Sequence, residues 1–219
     1  MTNSTSKITM IIPCAGFGTR VGSPLSKELL LNPETQSPLI EYSLKIAEEN
    51  QWNTVLITRP EKKNLMDYVA AREAKKNYQS QWVLVQKTTE WPDSVLRSSA
   101  FWSEKNILVL PDTTWNPSGF ERQLMTCLET SDVAYGVFET KDQKTWGTIC
   151  CEQNELKLCE KPAKNLAHFQ AWGLIAFRKN IGKVLFTAIL ESTLDQKVKS
   201  LHVKSEALPM NSFTDLTRP

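Results

Sequence analysis

The sequence lacks both a long apolar run and an excess of either charge. No stretch approaches the roughly 20 apolar residues of a membrane-spanning helix. The 26 Lys and Arg residues nearly balance the 24 Asp and Glu residues, for a net charge of +2. The segment before residue 8 is polar and lacks the apolar core of a secretion signal. We therefore expect a cytoplasmic protein with no membrane partner and no nucleic-acid partner.

Histidine is scarce, and the cysteines have no regular spacing. The two histidines stand far apart, and no Cys-x-x-Cys or Cys/His spacing indicates a zinc site. An odd number of cysteines, two of them adjacent, is a poor basis for a disulfide framework. We expect all five to be reduced and mostly buried. These are Cys14, Cys127, Cys150, Cys151 and Cys159.

Apolar runs that alternate with helix-favouring segments predict the fold class. Four short runs predict buried strands, at 8–12, 55–58, 82–86 and 107–110. Strands of this kind, separated by helices, indicate an α/β fold with a mostly parallel Rossmann-like sheet covered by helices on both faces. After residue 130 the pattern changes to strands and a hairpin, which predicts a small antiparallel addition. With 219 residues, we expect one domain, with one half at 8–130 and the other at 131–219.

A glycine-rich loop with two cations follows the first predicted strand. Its glycines allow backbone N–H groups to approach an anion closely. Arg20 offers a planar fork of donors for phosphate, and Lys27 offers a mobile point charge. We therefore expect this loop to hold a polyphosphate, with Arg20 and Lys27 as its cations.

Two better-known phosphate loops do not fit this segment. The Walker pattern G-x-x-x-x-G-K-[ST] is not present at any spacing of these glycines. The dinucleotide pattern G-x-G-x-x-G must open directly into a helix. Here the third glycine, Gly22, comes one residue late, and Pro24 follows it, so the next helix is expected only near Pro38. A dehydrogenase is thereby disfavoured.

Polar residues at the ends of predicted strands mark one edge of the sheet. The loop at 13–27, Gln86 and Asp112 each follow a different apolar strand. Ligands of parallel α/β sheets bind beyond the carboxyl ends of the strands. The sequence therefore places three polar features where a ligand is expected.

The motif Pro-Cys-Ala-Gly-Phe-Gly-Thr-Arg, followed by Ser-Lys-Glu-Leu-Leu, resembles the signature of the sugar-phosphate nucleotidyltransferases. These enzymes join a nucleoside triphosphate to a phosphorylated sugar or alcohol and release pyrophosphate. The resemblance implies that the half at 8–130 binds the nucleotide, with Arg20 and Lys27 as catalytic cations and with nucleotide-binding residues Ala15, Gly16, Gly18 and Thr19. It also implies Mg²⁺ as cofactor, held by Asp112 and by Asp215 near the chain end, and Gln86 as a reader of the nucleobase. Sharing one ion requires the closing segment to fold back beside the fourth strand. Thr217 and Arg218 depart from the Gly-Thr of the family's closing motif.

The second half resembles the family's acceptor-binding part. Glu160-Lys161-Pro162 is similar to the motif that contacts the sugar hydroxyls and the sugar phosphate, and Trp146-Gly147 is similar to an aromatic-glycine pair before it. The resemblance therefore implies that Gly147, Glu160 and Lys161 bind the acceptor.

The resemblance predicts an enzyme that makes an NDP-sugar from an NTP and a sugar 1-phosphate. Asp93-Ser94-Val95 and the Thr-Arg-Pro ending also resemble methylerythritol-phosphate cytidylyltransferases, which act on a non-sugar alcohol phosphate. From another class, a catalytically weak nucleotide-binding protein that retains the loop stays open. The sequence does not name the nucleobase, the acceptor or the oligomeric state.

Overall fold

The computed structural model describes residues 8–16, 25–76 and 78–217. Gly18, Thr19 and Arg20 of the predicted phosphate loop lie outside the described residues. In the described part, the strands are β1 (Ile8–Pro13), β2 (Asn53–Thr58), β3 (Gln81–Leu84), β4 (Lys105–Val109), β5 (Thr113–Asn116), β6 (Val133–Phe138), β7 (Gly147–Glu152), β8 (Glu155–Glu160), β9 (Gln170–Arg178), β10 (Lys199–His202), β11 (Ser205–Pro209) and β12 (Ser212–Asp215). The α-helices are α1 (Glu41–Glu49), α2 (Lys63–Lys76), α3 (Trp91–Arg97), α4 (Phe120–Cys127) and α5 (Lys179–Asp195).

The first half forms the parallel part of the sheet. Strand β1 pairs in parallel with β2 on one side and β4 on the other, and β2 pairs in parallel with β3. Residues Met10 to Ile12 of β1 are completely buried, as expected of a strand covered on both faces. The carboxyl ends of these four strands therefore meet at one edge, as the sequence predicted.

The second half continues the same sheet in antiparallel order. Strand β9 lies antiparallel to β4 and also pairs with β6 and β7, while β8 joins β7 to β10. Strand β11 pairs in parallel with β6. The result is a ten-stranded mixed sheet, with a separate two-stranded sheet of β5 and β12. The α/β fold prediction is confirmed, and the antiparallel addition is continuous with the parallel part.

Helices cover both faces of the sheet. Alternate residues of β1 point to opposite sides, because Met10 and Ile12 belong to one buried cluster and Ile11 to the other. The first cluster includes residues of α1, α2 and α4, and the second includes residues of α3 and α5. This arrangement leaves the edge at the carboxyl ends of the parallel strands open for a ligand.

Three elements escaped the sequence prediction. Strand β5 has four residues, and β11 ends at a proline, so neither has the length or composition that marks a strand. Helix α4 has eight residues and shows barely two turns of periodicity. The prediction that the closing segment folds back beside the fourth strand was wrong in detail, because β12 pairs with β5 instead.

Gly182 in α5 lies where the helix approaches two aromatic rings. A Cβ at this position would stand 2.4 Å from a ring carbon of Trp102 and 2.6 Å from one of Phe177. We expect Gly182→Ala to lower the free energy of unfolding by about 1–3 kcal/mol through overpacking, although alanine is the better helix former. Urea unfolding measures this change. The control is Val184→Ala in the same helix, where the side chain is 53% exposed and the change should stay within about 0.5 kcal/mol; equal effects would contradict the packing argument.

Candidate active site at the carboxyl edge of the sheet

A cavity of about 530 Å³ opens at the carboxyl ends of the parallel strands. It is lined by residues from both halves of the chain. From the start of the phosphate loop come Ala15 and Gly16, and from the segments that follow come Lys27, Asp112 and Asp215. The residues predicted to bind the acceptor, Gly147, Glu160 and Lys161, also line the wall. The structure therefore brings together eight of the residues that the sequence placed at a site.

Lys27 and Asp112 form an ion pair across this cavity. Lys27 begins a 3₁₀ turn after the loop, and its Nζ lies 2.6 Å from Oδ2 of Asp112, three residues past β4. Burial alone lowers the pKa of Lys27. The charge of Asp112 and the hydrogen bond to it more than offset this effect, so the pKa lies above its ordinary value. Lys27 is therefore held as a cation at the point where a polyphosphate can enter.

Asp215 reaches the same place through strand β12. The hydroxyl of Thr217 donates to Oδ1 of Asp215 at 2.7 Å and also lies 3.3 Å from Oδ2 of Asp112. Because both oxygens bond one hydroxyl, they cannot be further apart than the sum of these two distances. The backbone N–H of Leu216 donates to the Asp112 carbonyl at 2.9 Å. The closing segment is thus fixed against Asp112.

The two carboxylates fit the needs of Mg²⁺ in a nucleotide complex. Among the residues that the structure describes, no group of three or more His, Cys, Asp or Glu side chains could hold a metal by itself. Mg²⁺, however, is usually bound by one or two carboxylates together with waters and substrate phosphates. Asp112 and Asp215 are two carboxylates at the cavity wall that could hold such an ion.

Glu160 supplies an unpartnered acceptor on the other side of the cavity. Its Oε1 accepts a hydrogen bond from the indole N–H of Trp91 at 3.3 Å, and its Oε2 is buried without a partner. Its backbone N–H donates to the hydroxyl of Ser192 on α5 at 3.1 Å. Burial raises the pKa of the Glu160 carboxyl to about 7, against the opposing charge of Lys161. An orphan buried oxygen is costly, and a ligand hydroxyl would satisfy it.

Gly147 allows the acceptor side to pack closely. It pairs with Glu160 across the β7–β8 hairpin. A Cβ at this position would lie 2.3 Å from Oε2 of Glu160 and 2.0 Å from Nε1 of Trp172. Any larger residue would therefore displace the carboxylate. Beyond it, Lys161 has a positive φ of 49°, and its N–H donates to the Trp146 carbonyl at 2.9 Å.

The family follows from comparison with known proteins. A family model described as nucleotidyl transferase matches residues 9–206. The chain belongs to the nucleotidyl transferase family. A comparison of its sequence with curated proteins gives no match. None of the helices among the described residues is long and apolar enough to cross a membrane.

Solved structures of low identity share the fold of this nucleotidyl transferase. One is a protein from Bacillus anthracis, assigned as a glucose-1-phosphate thymidylyltransferase and solved with sucrose, at a TM-score of 0.72 and 13% identity over 96% of this chain and 90% of that one. A second is a UDP-glucose pyrophosphorylase complexed with UDP-glucose, at a TM-score of 0.67 and 18% identity. The match covers 96% of this chain and 93% of that one. A third is a UTP-bound UGPase from Acinetobacter baumannii, at a TM-score of 0.68 and 17% identity. The match covers 95% of this chain and 88% of that one.

Sequence reasoning missed several residues on the wall of the transferase cavity. Arg59 follows β2 and donates from Nε to the Ala15 carbonyl at 2.7 Å. Trp91 begins α3 and packs against Trp172, with ring centroids 5.6 Å apart. A strand-end arginine at this edge could have been found from the sheet pattern alone. The contact between the two tryptophans depends on pairing between distant strands, which no local signal shows.

Gln86 has a different setting from the other predicted residues. It is exposed and is not among the residues that line the cavity. Its backbone carbonyl accepts a hydrogen bond from Nη1 of Arg59 at 2.5 Å. The role of its side chain as a reader of the nucleobase stays a prediction.

Cys14 lies directly after β1 and is completely buried. Burial, with a smaller contribution from the charge of Glu28, raises the pKa of its thiol well above the ordinary value. Since the thiolate is the reactive form, this cysteine is no candidate nucleophile.

The raised pKa of Glu160 predicts a pH-dependent cost to stability. Below its ordinary value of 4.5 the carboxyl is protonated in the folded and unfolded states alike. Between pH 4.5 and about 7 the unfolded chain loses this proton while the folded chain keeps it, so the free energy of unfolding falls as pH rises. Glu160→Gln removes the titrating carboxyl and with it this pH-dependent loss of stability. The stability of the variant relative to the wild type should therefore grow by about 2–3 kcal/mol between pH 5 and pH 8.

Urea unfolding at the two pH values measures this difference. The matched control is Glu34→Gln, at an exposed position, which should show no such growth. If the stability of the Glu160 variant relative to the wild type does not change with pH, the carboxylate is better solvated than its burial indicates.

Proposed function

We propose that this chain transfers a nucleotidyl group from a nucleoside triphosphate to a sugar 1-phosphate and releases pyrophosphate, giving an NDP-sugar. The observation that carries the proposal is one cavity with two chemically different sides. The Lys27–Asp112–Asp215 side suits phosphates and a divalent cation. On the Glu160–Lys161 side, a buried carboxylate oxygen can accept a hydrogen bond from a ligand hydroxyl, and the ammonium of Lys161 can bind a second phosphate.

The sugar phosphate is the acceptor class that the comparisons support. The fold is shared with proteins named for glucose 1-phosphate and UDP-glucose, one of them bound to UTP. Trp91 and Trp172 stand beside the free oxygen of Glu160. Apolar rings next to an acceptor suit the mixed surface of a sugar ring, which has C–H faces and hydroxyl edges.

The reaction requires alignment and charge neutralisation. An oxygen of the sugar phosphate attacks the α-phosphorus in line, a new P–O bond forms, and the bond to the β-phosphate oxygen breaks as pyrophosphate leaves. Lys27 neutralises charge on the triphosphate, and Lys161 holds the attacking phosphate. Arg20, Gly18 and Thr19 of the loop have predicted roles on the phosphates, and Ala15 and Gly16 lie at the cavity.

Mg²⁺ is the cofactor that we propose for this site. Asp112 and Asp215 would hold it, and when bound it would neutralise charge on the phosphate oxygens. In this structure the ammonium of Lys27 donates a hydrogen bond to Oδ2 of Asp112. The carboxylate thus already stabilises a positive charge at the place where Mg²⁺ is expected.

Several further features of the protein belong to the proposal. All five cysteines are free, which supports a reducing, cytoplasmic location. One domain, with a nucleotide-binding half at 8–130 and an acceptor-binding half at 131–219, is supported by the cavity between the two halves, which one continuous sheet joins.

Pyrophosphate release tests the function directly. The protein is incubated with Mg²⁺, each NTP in turn and a panel of sugar 1-phosphates, with methylerythritol phosphate as the non-sugar arm. We expect turnover with one or two sugar 1-phosphates. Turnover with the non-sugar acceptor alone would overturn the sugar assignment, and NTP binding by calorimetry with no turnover would identify a nucleotide-binding protein instead.

Lys161 should affect the acceptor and spare the nucleotide. It lies on the cavity wall directly after β8, and β7 and β9 separate β8 from β4, the strand that leads to Asp112. We expect Lys161→Ala to raise KM for the sugar phosphate at least tenfold, because a charged hydrogen bond is lost, while the Kd for NTP changes by less than about threefold. Lys164→Ala, at an exposed position nearby, is the control. A large loss of NTP affinity in the Lys161 variant would reverse the assignment of the two sides.

Asp112 and Asp215 should act as a unit. We expect Asp112→Asn and Asp215→Asn each to lower kcat at least a hundredfold, and the double variant to be little worse than either, because removing one ligand already disables a shared site. Steady-state kinetics at saturating Mg²⁺ measures this, with Asp67→Asn on the exposed side of α2 as control. Multiplicative losses in the double variant would show that the two carboxylates work independently.

A further inference from the structure

The turn between β2 and α2, residues 59–62, contacts the chain on both sides of the phosphate loop. At its start, Arg59 donates to the carbonyl of Ala15, near the beginning of the loop. At its end, Lys62 donates from Nζ to both carboxylate oxygens of Glu28, at 2.8 and 2.9 Å. The turn is closed by a hydrogen bond of 3.0 Å from the N–H of Lys62 to the Arg59 carbonyl. One hydrogen-bonded turn therefore contacts the chain at both ends of the loop.

The Glu28–Lys62 pair is buried behind the cavity wall. Glu28 is completely buried and Lys62 is 8% exposed, and neither residue lines the cavity. A buried ion pair gains little net stability, because the cost of desolvating two charges cancels most of their attraction. An apolar pair of similar volume would serve the core as well. The ion pair must therefore be explained by something other than stability.

Glu28 follows directly after Lys27 in the 3₁₀ turn, and the two side chains point in different directions. Lys27 reaches Asp112 in the cavity, while Glu28 reaches Lys62 in the interior. The hydroxyl of Ser26 donates to Oδ1 of Asn64 at 2.7 Å, which adds a second link from this turn to α2. The residues on both sides of Lys27 are thus attached to the start of α2, and this fixes the position of its backbone.

We infer that Glu28 and Lys62 are positioning residues that hold the backbone of Lys27 so that its ammonium meets the triphosphate. The inference rests on the proposed function only in taking a triphosphate as the ligand of Lys27. Displacements of about 1 Å can cost on the order of a hundredfold in rate, and a directional pair with two hydrogen bonds fixes this turn more sharply than apolar packing does.

The test replaces the pair with Glu28→Leu and Lys62→Met together, which removes both charges and keeps the core filled. We expect a melting temperature near that of the wild type, with kcat/KM and NTP affinity each lowered at least tenfold. The same replacement in a Lys27→Ala background should change either quantity by less than about twofold, because the pair acts through Lys27. If the apolar pair does not fold, Glu28→Gln with Lys62→Gln is the second variant.

The control is the Glu41–Arg72 pair, which joins α1 to α2 away from the cavity. Glu41→Leu with Arg72→Met should change stability without changing NTP affinity. A folded Glu28/Lys62 variant with wild-type NTP affinity overturns the inference and leaves the proposed function intact. A further loss in the Lys27→Ala background also overturns it, since the pair would then act by another route. If the wild type binds NTP without turnover, the affinity measurements still decide the inference while the proposed function fails; if it binds no NTP, both fail.

Discussion

The contact between Lys27 and Asp112 joins the parts of the chain on which the site depends. The two residues are 85 positions apart in sequence, and they meet because β1 and β4 are parallel neighbours whose carboxyl ends share one edge. Each side chain is largely withdrawn from water, and the attraction between the two charges offsets part of the cost of desolvating them. The turn after the loop and the closing segment both meet at this pair, through Lys27 and Thr217.

Strand β9 couples the two sides of the cavity. It lies beside β4, which leads to Asp112, and beside β7, which begins with Gly147. It also places Trp172 next to the carboxylate of Glu160. Because these strands are hydrogen-bonded in one sheet, the phosphate side and the acceptor side cannot move as independent domains without breaking backbone pairs. The distance between the two sides is thereby a property of the sheet.

The sequence was informative wherever the chemistry was local. The apolar run before the loop, the strand-end Asp112 and the Glu160-Lys161 hairpin end could all be located, because each depends on a period or a motif a few residues long. The partner of Glu28, the contact of Arg59 with Ala15 and the pairing of β12 with β5 could not be located. Each of these joins segments whose relative register is set only when the whole sheet assembles.

Strand β12 contributes to the candidate site without contributing to the main sheet. Within the described part of the chain it pairs with β5, in a separate two-stranded sheet, so the ten strands of the main sheet do not depend on residues 212–217. Asp215 and Thr217 nevertheless meet Asp112, over a sequence separation of 105 residues between Thr217 and Asp112. Loss of this segment would remove one of the two carboxylates and leave every strand pair of the main sheet in place. The hydrogen-bonded core of the protein and the full set of carboxylates at its edge are therefore separable.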